Sequence, residues 1–309
     1  MTRVFIDGSA GTTGLRLAGR LRERRDIELL VLTEEKRKDP EARRAIMNRA
    51  DIVFLCLPDA AAVESVSLVD NPDTVIIDTS TAHRTAEGWT YGFPELTGQR
   101  ERIAGSRRIA NPGCHASGVI ALLYPLIHCG MVRTDTPLSC FSLTGYSGGG
   151  KKMIADYESQ TRSPLLDAPR TYGISQSHKH LPEIVRVCGL ETAPLFFPIV
   201  GAFYSGMEVV IGLHAAQLNG KAADLMDLYR TFYDRSRIIH VDENADESGF
   251  LSAAAFSGRD DIQISVAGGD ERIMLTARFD NLGKVASGSA LQNMNILMGI
   301  DETTGLVLG

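Results

Sequence analysis

The sequence predicts a two-domain α/β protein: a first domain with a parallel sheet, and a second α+β domain with a mainly antiparallel sheet. The 309 residues exceed the ~100–200 typical of one domain. Apolar strand-like runs alternate with helical patterns over the first hundred residues, as in a parallel sheet. After about residue 113, strand-like runs follow one another with few helices between them, which favours antiparallel pairing.

The first domain is expected to alternate between strands and helices. The strands are predicted at residues 4–7, 27–32, 51–57 and 74–78, and the helices at residues 15–22, 41–50 and 60–69. The run DIVFLCL at 51–57 suits a strand buried on both faces. In the first helix, the spacing of Leu15, Ala18 and Leu21 predicts one apolar face.

The second domain is expected to contain most of the remaining elements. Helices are predicted at residues 114–129, 152–159, 222–233 and 286–298, and strands at residues 138–143, 195–200, 207–213, 262–267 and 273–279. The last of these helices could return to the first domain.

Composition and charge exclude several classes of protein. Hydrophobic residues make up 44% and charged residues 23% of the chain, as in a folded soluble protein. No apolar run reaches the ~18 residues of a membrane span, and the N-terminus lacks a signal-peptide pattern. A net charge of −6 argues against non-specific nucleic-acid binding. The five cysteines form no CxxC pair, which favours reduced thiols in a cytoplasm.

A glycine-rich loop follows the first strand and opens the first helix. Its sequence is GSAGTTG, with the candidate ligand-binding residues Gly8, Ser9, Gly11, Thr12, Thr13 and Gly14. Glycines let the backbone approach a pyrophosphate, and the helix N-terminus supplies free N–H groups. The spacing is G-x-x-G-x-x-G and not G-x-G-x-x-G, so a plain strand-to-helix turn is the alternative. The setting favours a dinucleotide site in a Rossmann-like domain.

The residues after the second strand bear on the choice of cofactor. Glu34 and Glu35 precede the basic cluster Lys36, Arg37 and Lys38. A basic cluster here could hold a 2′-phosphate, which favours NADP over NAD. A solvated charged loop is the alternative.

One cysteine stands in a reactive setting. In the segment Asn111-Pro-Gly-Cys114-His115, the turn residues place Cys114 at the start of an apolar helix. A helix N-terminus lowers the pKa of a thiol and favours the nucleophilic thiolate. The other four cysteines lie in apolar runs or at the ends of elements, so we interpret them as structural.

A thiolate nucleophile usually needs a proton-transfer partner, and the candidates are His115, His178 and His180. The pair His178-x-His180 could instead be half of a metal site, but no further ligands complete it, so no metal is expected. A second glycine-rich loop at 144–152 ends with Lys151 and Lys152 and is suited to an anion.

Several stretches together resemble the N-acetyl-γ-glutamyl-phosphate reductase family in its shorter form and, more distantly, the aspartate-semialdehyde dehydrogenases. They span nearly the whole chain in the expected order: FIDGSAGTTGLRL, DIVFLCLPD, VIIDTSTAHR, YGFPEL, ANPGCHASG, TGYSGGGKKMIA, SHKHLPEI and DNLGKVASGSALQNMN. The sequence departs from the family at two positions. His115 stands where tyrosine is commoner, and His83 stands where an aromatic residue is expected.

The resemblance implies an NADPH-dependent reduction of an acyl phosphate to an aldehyde in arginine biosynthesis. Cys114 would form a thioester, and His178 or His180 would transfer the proton. Arg84, Lys151 and Lys152 would anchor the substrate, and Asn281 would approach the nicotinamide.

The resemblance also implies the organisation of the chain. Residues 1–113 and 285–309 would form the NADP-binding domain, and residues 114–284 the catalytic and dimerisation domain. A cytoplasmic homo-oligomer, a dimer or tetramer, is expected. The alternatives are a related dehydrogenase acting on aspartyl or aminoadipyl phosphate, and a non-enzymatic NADP(H)-binding regulator in which Cys114 is dispensable. A thiol hydrolase would leave the glycine loop unexplained.

Overall fold

The structure is a computed structural model that describes residues 1–309. It divides into two compact units. The first unit contains Met1–Pro112 and Ala286–Leu306, and the second contains Gly113–Val285 and Val307–Gly309.

The chain contains nine α-helices and thirteen strands. The strands are β1 (Thr2–Asp7), β2 (Ile27–Leu30), β3 (Ile52–Leu55), β4 (Val75–Asp78), β5 (Thr90–Tyr91), β6 (Arg108–Ala110), β7 (Ser139–Gly145), β8 (Arg170–Thr171), β9 (Leu195–Gly201), β10 (Met207–His214), β11 (Ile239–Val241), β12 (Ile262–Gly268) and β13 (Arg272–Phe279). The helices are α1 (Thr12–Arg22), α2 (Pro40–Met47), α3 (Asp59–Ser67), α4 (Gln99–Ala104), α5 (Cys114–His128), α6 (Gly150–Glu158), α7 (Leu181–Cys188), α8 (Asp224–Tyr233) and α9 (Ser289–Leu297).

The first unit is built on a six-stranded sheet in the order β2-β1-β3-β4-β6-β5, and every pair in it is parallel. Because side chains alternate along a strand, each strand supplies two separate apolar layers. Val4 and Ile6 pack with α1 and α9 on one face, whereas Phe5 packs with α2 and α3 on the other. The central strands are therefore buried on both faces, as the DIVFLCL run predicted.

The buried face of α1 differs by one position from the prediction. Gly14, Leu17, Ala18 and Leu21 are buried, whereas Leu15 is 55% exposed. Positions 14, 17, 18 and 21 follow the i, i+3, i+4, i+7 spacing of one helical face, and Leu15 lies about 100° away from it. The prediction for Leu15 was wrong because residues 15, 18 and 21 spread over about 120° around the helix, which places Leu15 outside the buried stripe.

The second unit has a seven-stranded sheet in the order β11-β12-β13-β10-β7-β9-β8. Four of its six pairs are antiparallel, and β11–β12 and β7–β9 are parallel. The predicted fold class is confirmed, with a sheet that is mixed but mainly antiparallel. Helices α5 and α8 contact the same side of this sheet.

Over β7 and β9, the other face of this sheet is uncovered within the chain. Phe141 is 47% and Leu195 is 56% exposed on it, and the Phe141 and Phe197 rings stack with centroids 4.8 Å apart. We call this the open sheet face. An uncovered apolar sheet face of this kind is typical of an interaction surface.

Several short elements were missed by the sequence analysis, namely β5, β6, β8, β11, α4 and α7. The helix predicted at 286–298 instead begins as a π-helical stretch, Gly283–Gly288, and α9 follows it. Every helix falls short of the length and hydropathy that a bilayer-spanning segment requires.

Candidate active site

The glycine loop connects β1 to α1 in the first unit. The N–H of Gly11 donates to the carbonyl of Gly8 at 3.0 Å, which closes a tight turn. Gly11 caps α1 without a side-chain hydrogen bond, so no side chain occupies the N–H groups of the first turn. These N–H groups and the helix dipole form an anion-binding position.

Two glycines of this loop leave no room for a side chain. Gly8 has φ = +86°, and a Cβ atom there would lie 2.3 Å from the carbonyl oxygen of Cys56. A Cβ atom on Gly14 would lie 2.4 Å from the carbonyl oxygen of Gly8. The spacing of the glycines is therefore dictated by contacts between backbone segments, and the backbone surface above the loop stays accessible to a ligand.

A cavity of about 650 Å³ lies beside the loop. It is lined by Gly8 and Ser9, by apolar residues of β1 and β2, and by Glu34, Arg37 and Lys38. Glu34 and Arg37 form an ion pair at 2.7 Å. A cavity of this size and lining fits the adenosine half of a dinucleotide.

Arg43, a residue that the sequence analysis missed, also lines this cavity. It is buried and donates to Asp7 at 2.9 Å and to Ser65, and it pairs with Glu64 at 3.2 Å. A buried guanidinium with this many partners holds the ends of β1, α2 and α3 together. Its position in the sequence, among other charged residues, contains no signal that would have identified it.

In the second unit, α5 begins at Cys114, as predicted. The N–H of the capping residue Gly113 donates to the carboxylate of Glu183 at 3.1 Å. Cys114 is partly exposed. The helix N-terminus therefore carries a thiol that solvent can reach.

Three imidazoles form a group next to this helix start, and we call His115, His178 and His180 the histidine cluster. The ring centroids lie 5.5 Å apart for His115–His178, 5.6 Å for His115–His180 and 4.8 Å for His178–His180. The tertiary structure thus brings together residues that lie more than 60 positions apart in the sequence.

His115 is buried and held between two hydroxyl groups. Its Nδ1 lies 2.6 Å from the Ser142 hydroxyl, and its Nε2 lies 2.6 Å from the Tyr172 hydroxyl. Burial, with the charges of His178 and Lys179, lowers the pKa of His115 to about 3. His115 is therefore neutral at physiological pH. Ser142 and Tyr172 were not identified from the sequence.

The two remaining imidazoles differ in their surroundings. His178 is half-buried, and burial with the charge of Lys179 lowers its pKa to about 4. Its Nδ1 accepts the backbone N–H of His180 at 3.2 Å. His180 is buried, and its Nε2 lies 4.0 Å from the carboxylate of Glu183.

Asn281 lies against the second glycine-rich loop. Its Oδ1 accepts the N–H of Gly206 and its Nδ2 donates to the Ser147 hydroxyl, both at 2.9 Å. Lys151 and Lys152 lie in the first turn of α6 and are exposed. The predicted ligand contacts of Asn281, Lys151 and Lys152 remain predictions.

Arg84 belongs to the first unit. Its Nε donates to the carbonyl of Asn111 at 3.0 Å and its Nη2 to that of Thr79 at 3.2 Å. The neighbouring His83 is buried, pairs with Asp78 at 2.6 Å and stacks on Trp89 with ring centroids 4.0 Å apart. These contacts hold the Arg84 loop in one conformation.

The other cysteines do not lie at an accessible helix N-terminus, as Cys114 does. Burial raises the pKa of Cys56 to about 12 and also raises the pKa of Cys140 and Cys188. These thiols are therefore protonated at neutral pH, as expected of structural residues. Within residues 1–309, no three His, Cys, Asp or Glu side chains are arranged so as to hold a metal ion.

Two family models match the chain. Residues 3–106 match the NAD-binding domain of the semialdehyde dehydrogenases, and residues 114–281 match their dimerisation domain. Among curated proteins, N-acetyl-gamma-glutamyl-phosphate reductase 2 of a Nostoc species is 43% identical, over 98% of this chain and 99% of the relative. The chain belongs to the N-acetyl-γ-glutamyl-phosphate reductase family. The predicted family is confirmed.

Other comparisons agree with this family. N-acetyl-gamma-glutamyl-phosphate reductase 2 of Pseudomonas putida is 42% identical, and 98% of each chain is covered. Aspartate semialdehyde dehydrogenase II of Vibrio cholerae has the same fold, with a TM-score of 0.73 at 16% identity, covering 97% of this chain and 98% of that one. The corresponding enzyme of Francisella tularensis also has a TM-score of 0.73, at 14% identity over 96% of this chain and 100% of its own. Members of the family are oxidoreductases with a nicotinamide-dinucleotide domain and a dimerisation domain.

Proposed function

We propose that the chain reduces N-acetyl-γ-glutamyl phosphate to N-acetylglutamate 5-semialdehyde with release of phosphate, as a step of arginine biosynthesis. The observation that carries this proposal is the solvent-accessible Cys114 thiol at the N-terminus of α5, beside the histidine cluster, in a chain 43% identical to reductases of this name.

The first chemical step is acyl transfer to Cys114. The Cys114 thiolate attacks the acyl carbon, the C–S bond forms, and the C–O bond to phosphate breaks, so that phosphate leaves with the electron pair. The N–H groups at the start of α5 can stabilise the oxyanion that forms at each addition. The thioester divides one difficult reduction into two easier steps.

The second step needs a cofactor, and the glycine loop with its cavity is suited to hold one. When bound, the reduced nicotinamide supplies the hydride that converts the acyl carbon of the thioester into a thiohemiacetal. Gly8 and Gly14 would allow the backbone to approach a pyrophosphate, and the N–H groups of Thr12 and Thr13 at the start of α1 would donate to it. Ser9 lines the adjoining cavity. Asn281, beside the second glycine-rich loop, would approach the nicotinamide.

Collapse of the thiohemiacetal needs a base for its hydroxyl proton while the C–S bond breaks and the thiolate leaves. We assign this proton transfer to His180. His178 Nδ1 already accepts a backbone N–H, so the neutral ring carries its proton on Nε2 and has no lone pair there. His180 has the Glu183 carboxylate nearby to stabilise its protonated form.

We further propose NADP as the cofactor. Arg37 and Lys38 line the cavity beside the end of β2, where a 2′-phosphate would lie, and Glu34 orients Arg37. Replacing Arg37 by Ala should raise KM for NADPH ~10-fold and leave that for NADH nearly unchanged, because one charge-assisted hydrogen bond is lost.

The substrate anchors and the assembly complete the proposal. Arg84, Lys151 and Lys152 bind the carboxylate or phosphate of the substrate.

The protein is a cytoplasmic homo-oligomer that buries the open sheet face against a second copy. Replacing Phe141 by Glu should dissociate it in sedimentation experiments, because a charge would be desolvated in the interface.

The function is tested in the oxidative direction, with inorganic phosphate, NADP and each of three aldehydes. We expect phosphate-dependent formation of NADPH to be fastest with N-acetylglutamate 5-semialdehyde. Equal or faster turnover of aspartate semialdehyde or aminoadipate semialdehyde would contradict the proposed substrate. Cofactor binding without turnover of any aldehyde would favour a regulator.

A further inference from the structure

The backbone pairing between β8 and β9 stops shortly before the histidine cluster. Tyr172 continues the antiparallel pairing, and its N–H donates to the Pro198 carbonyl at 3.0 Å. In the same register, Ile174 would lie opposite Phe196 and exchange two backbone hydrogen bonds with it. The chain instead turns away at Gly173, which has φ = +62°, and Ile174 is 85% exposed.

The side chain of Gln176 makes the two hydrogen bonds that the departing backbone would have made. Its Oε1 accepts the N–H of Phe196, and its Nε2 donates to the Phe196 carbonyl, both at 2.8 Å. A side-chain amide has the same donor and acceptor as a peptide group. The Gln176 amide therefore takes the place of a strand residue and extends the pairing along β9 by one position.

The backbone of Gln176 has a conformation that is unfavourable for this residue. Its φ is +56°, in the left-handed region that glycine tolerates far better. Its N–H donates to the Gly173 carbonyl at 3.0 Å and closes a turn. Such a conformation persists where surrounding contacts fix it, and it is common at functional sites. At Gln176 the two hydrogen bonds to Phe196 are the contacts that fix it.

Phe196 connects this contact to the histidine cluster. Its ring centroid lies 5.5 Å from that of His115 and 5.1 Å from that of His178. His178 follows Gln176 by two residues, and its Nδ1 accepts the backbone N–H of His180 at 3.2 Å. The amide of Gln176 thus holds the segment of His178 and His180 against the strand on which their rings pack.

We propose that Gln176 is a positioning residue for proton transfer, which fixes the rings of His178 and His180 by pairing with the backbone of Phe196. It acts through these two imidazoles and not on the reacting atoms. The inference rests on the proposed function, in which His180 takes the proton of the thiohemiacetal.

The first test is steady-state kinetics of two substitutions at this position. Gln176→Met keeps the length of the side chain but removes both hydrogen bonds, and it should lower kcat ~10-fold because the base is no longer held in place. KM for NADPH should stay within a factor of two, because the glycine loop belongs to the first unit. Gln176 is exposed, so we expect the variants to fold.

Gln176→Gly separates the amide from the backbone conformation. Glycine adopts a positive φ without strain but cannot pair with Phe196. If the amide matters, this variant should lose kcat to the same extent as Gln176→Met. Wild-type kcat in either variant would overturn the inference.

Gln217 provides a matched control in the same unit. Its Oε1 accepts the N–H of His214 at 2.8 Å, and its Nε2 donates to the Pro137 carbonyl at 2.9 Å, so it also makes one backbone contact of each kind. Gln217→Met should keep kcat within a factor of two of wild type. An equal loss of kcat in Gln217→Met and Gln176→Met would show a general structural effect and overturn the inference.

The second test follows the protonation of His178 by NMR, with its signals assigned by their loss in His178→Asn. The rings of His115, Tyr172 and His180 and the charge of Lys179 surround His178. Its burial, with Lys179, lowers its pKa from 6.5 to about 4. Releasing the segment lets water reach the ring, so Gln176→Met should raise this pKa by about one unit.

The same titration separates this inference from the proposed function. Gln217→Met should leave the pKa of His178 at its wild-type value, and an unchanged pKa in Gln176→Met would overturn the positioning role. The measurement needs no substrate or cofactor. Absent turnover of every aldehyde would therefore contradict the proposed function, while the titration would still decide whether Gln176 positions His178.

Discussion

The glycine loop of the first unit and the histidine cluster of the second unit are organised by opposite means. The loop is shaped by absent side chains, since a Cβ atom at Gly8 or Gly14 would collide with backbone 2.3–2.4 Å away. The cluster is shaped by present side chains, since His115 is held by two hydroxyl groups and packed against two other imidazoles. Substitutions that add atoms should therefore disrupt the loop, whereas substitutions that remove atoms should disrupt the cluster.

The largest expected effect comes from the thiol itself. Cys114→Ser should lower turnover by at least ~10³-fold, because a hydroxyl is far less acidic and less nucleophilic than a thiol. Affinity for NADPH, measured by fluorescence titration, should remain within a factor of two of wild type. Unchanged turnover would refute the thioester chemistry.

The next-largest effect, on kcat, should distinguish His180 from His178. His180→Asn should lower kcat by ~10²-fold or more, the usual contribution of a general base. His178→Asn is its control, because we expect His178 to donate a hydrogen bond and not to accept the proton. A greater loss of kcat in His178→Asn, with similar melting temperatures, would reverse the assignment.

Adding one methyl group to the glycine loop should have a smaller effect. Gly14→Ala should destabilise the protein by ~1–3 kcal/mol through overpacking and weaken NADPH binding ~10-fold or more. Gly19→Ala is the matched control on the same helix, where a Cβ atom would meet nothing within 4 Å. It should preserve affinity and stabilise the helix by up to ~1 kcal/mol. Equal effects of the two substitutions would show that the loop contacts are unimportant.

The smallest effect concerns acid sensitivity, which should reside in the histidine cluster. The pKa values of about 3 for His115 and about 4 for His178 lie below the value of 6.5 of a free imidazole. As the pH falls below 6.5, the unfolded chain takes up protons first, so the free energy of unfolding decreases until the pH passes these folded-state values. For His115 alone we expect a loss of roughly 1–2 kcal/mol at pH 5 relative to pH 7.

Urea unfolding at the two pH values measures this loss. His115→Gln should reduce the difference, whereas His128→Gln, at the exposed end of α5, should not. A stability that stays constant or rises from pH 7 to pH 5 would contradict burial of a neutral His115.

Much of the fold was predictable because its signals are local. The apolar run at 51–57 became the fully buried β3, and the turn before Cys114 became the start of α5. Leu15 was misassigned because positions 15, 18 and 21 spread over about 120° around a helix, whereas the buried stripe follows positions 14, 17, 18 and 21. The short strands β5, β6 and β8 were missed because two or three residues show no periodicity.

The candidate site was predictable only as separate residues. The spacing of the amino acids alone determined the glycine loop, the helix start at Cys114 and the pair His178 and His180, because each depends on neighbours in the chain. Only the tertiary structure decided that His115 contacts Ser142 and Tyr172, 27 and 57 positions away, and that Glu183 binds the N–H of Gly113. Pairing of strands and packing of helices bring such residues together, and these long-range contacts set the burial and hydrogen bonding that determine the protonation state of each group.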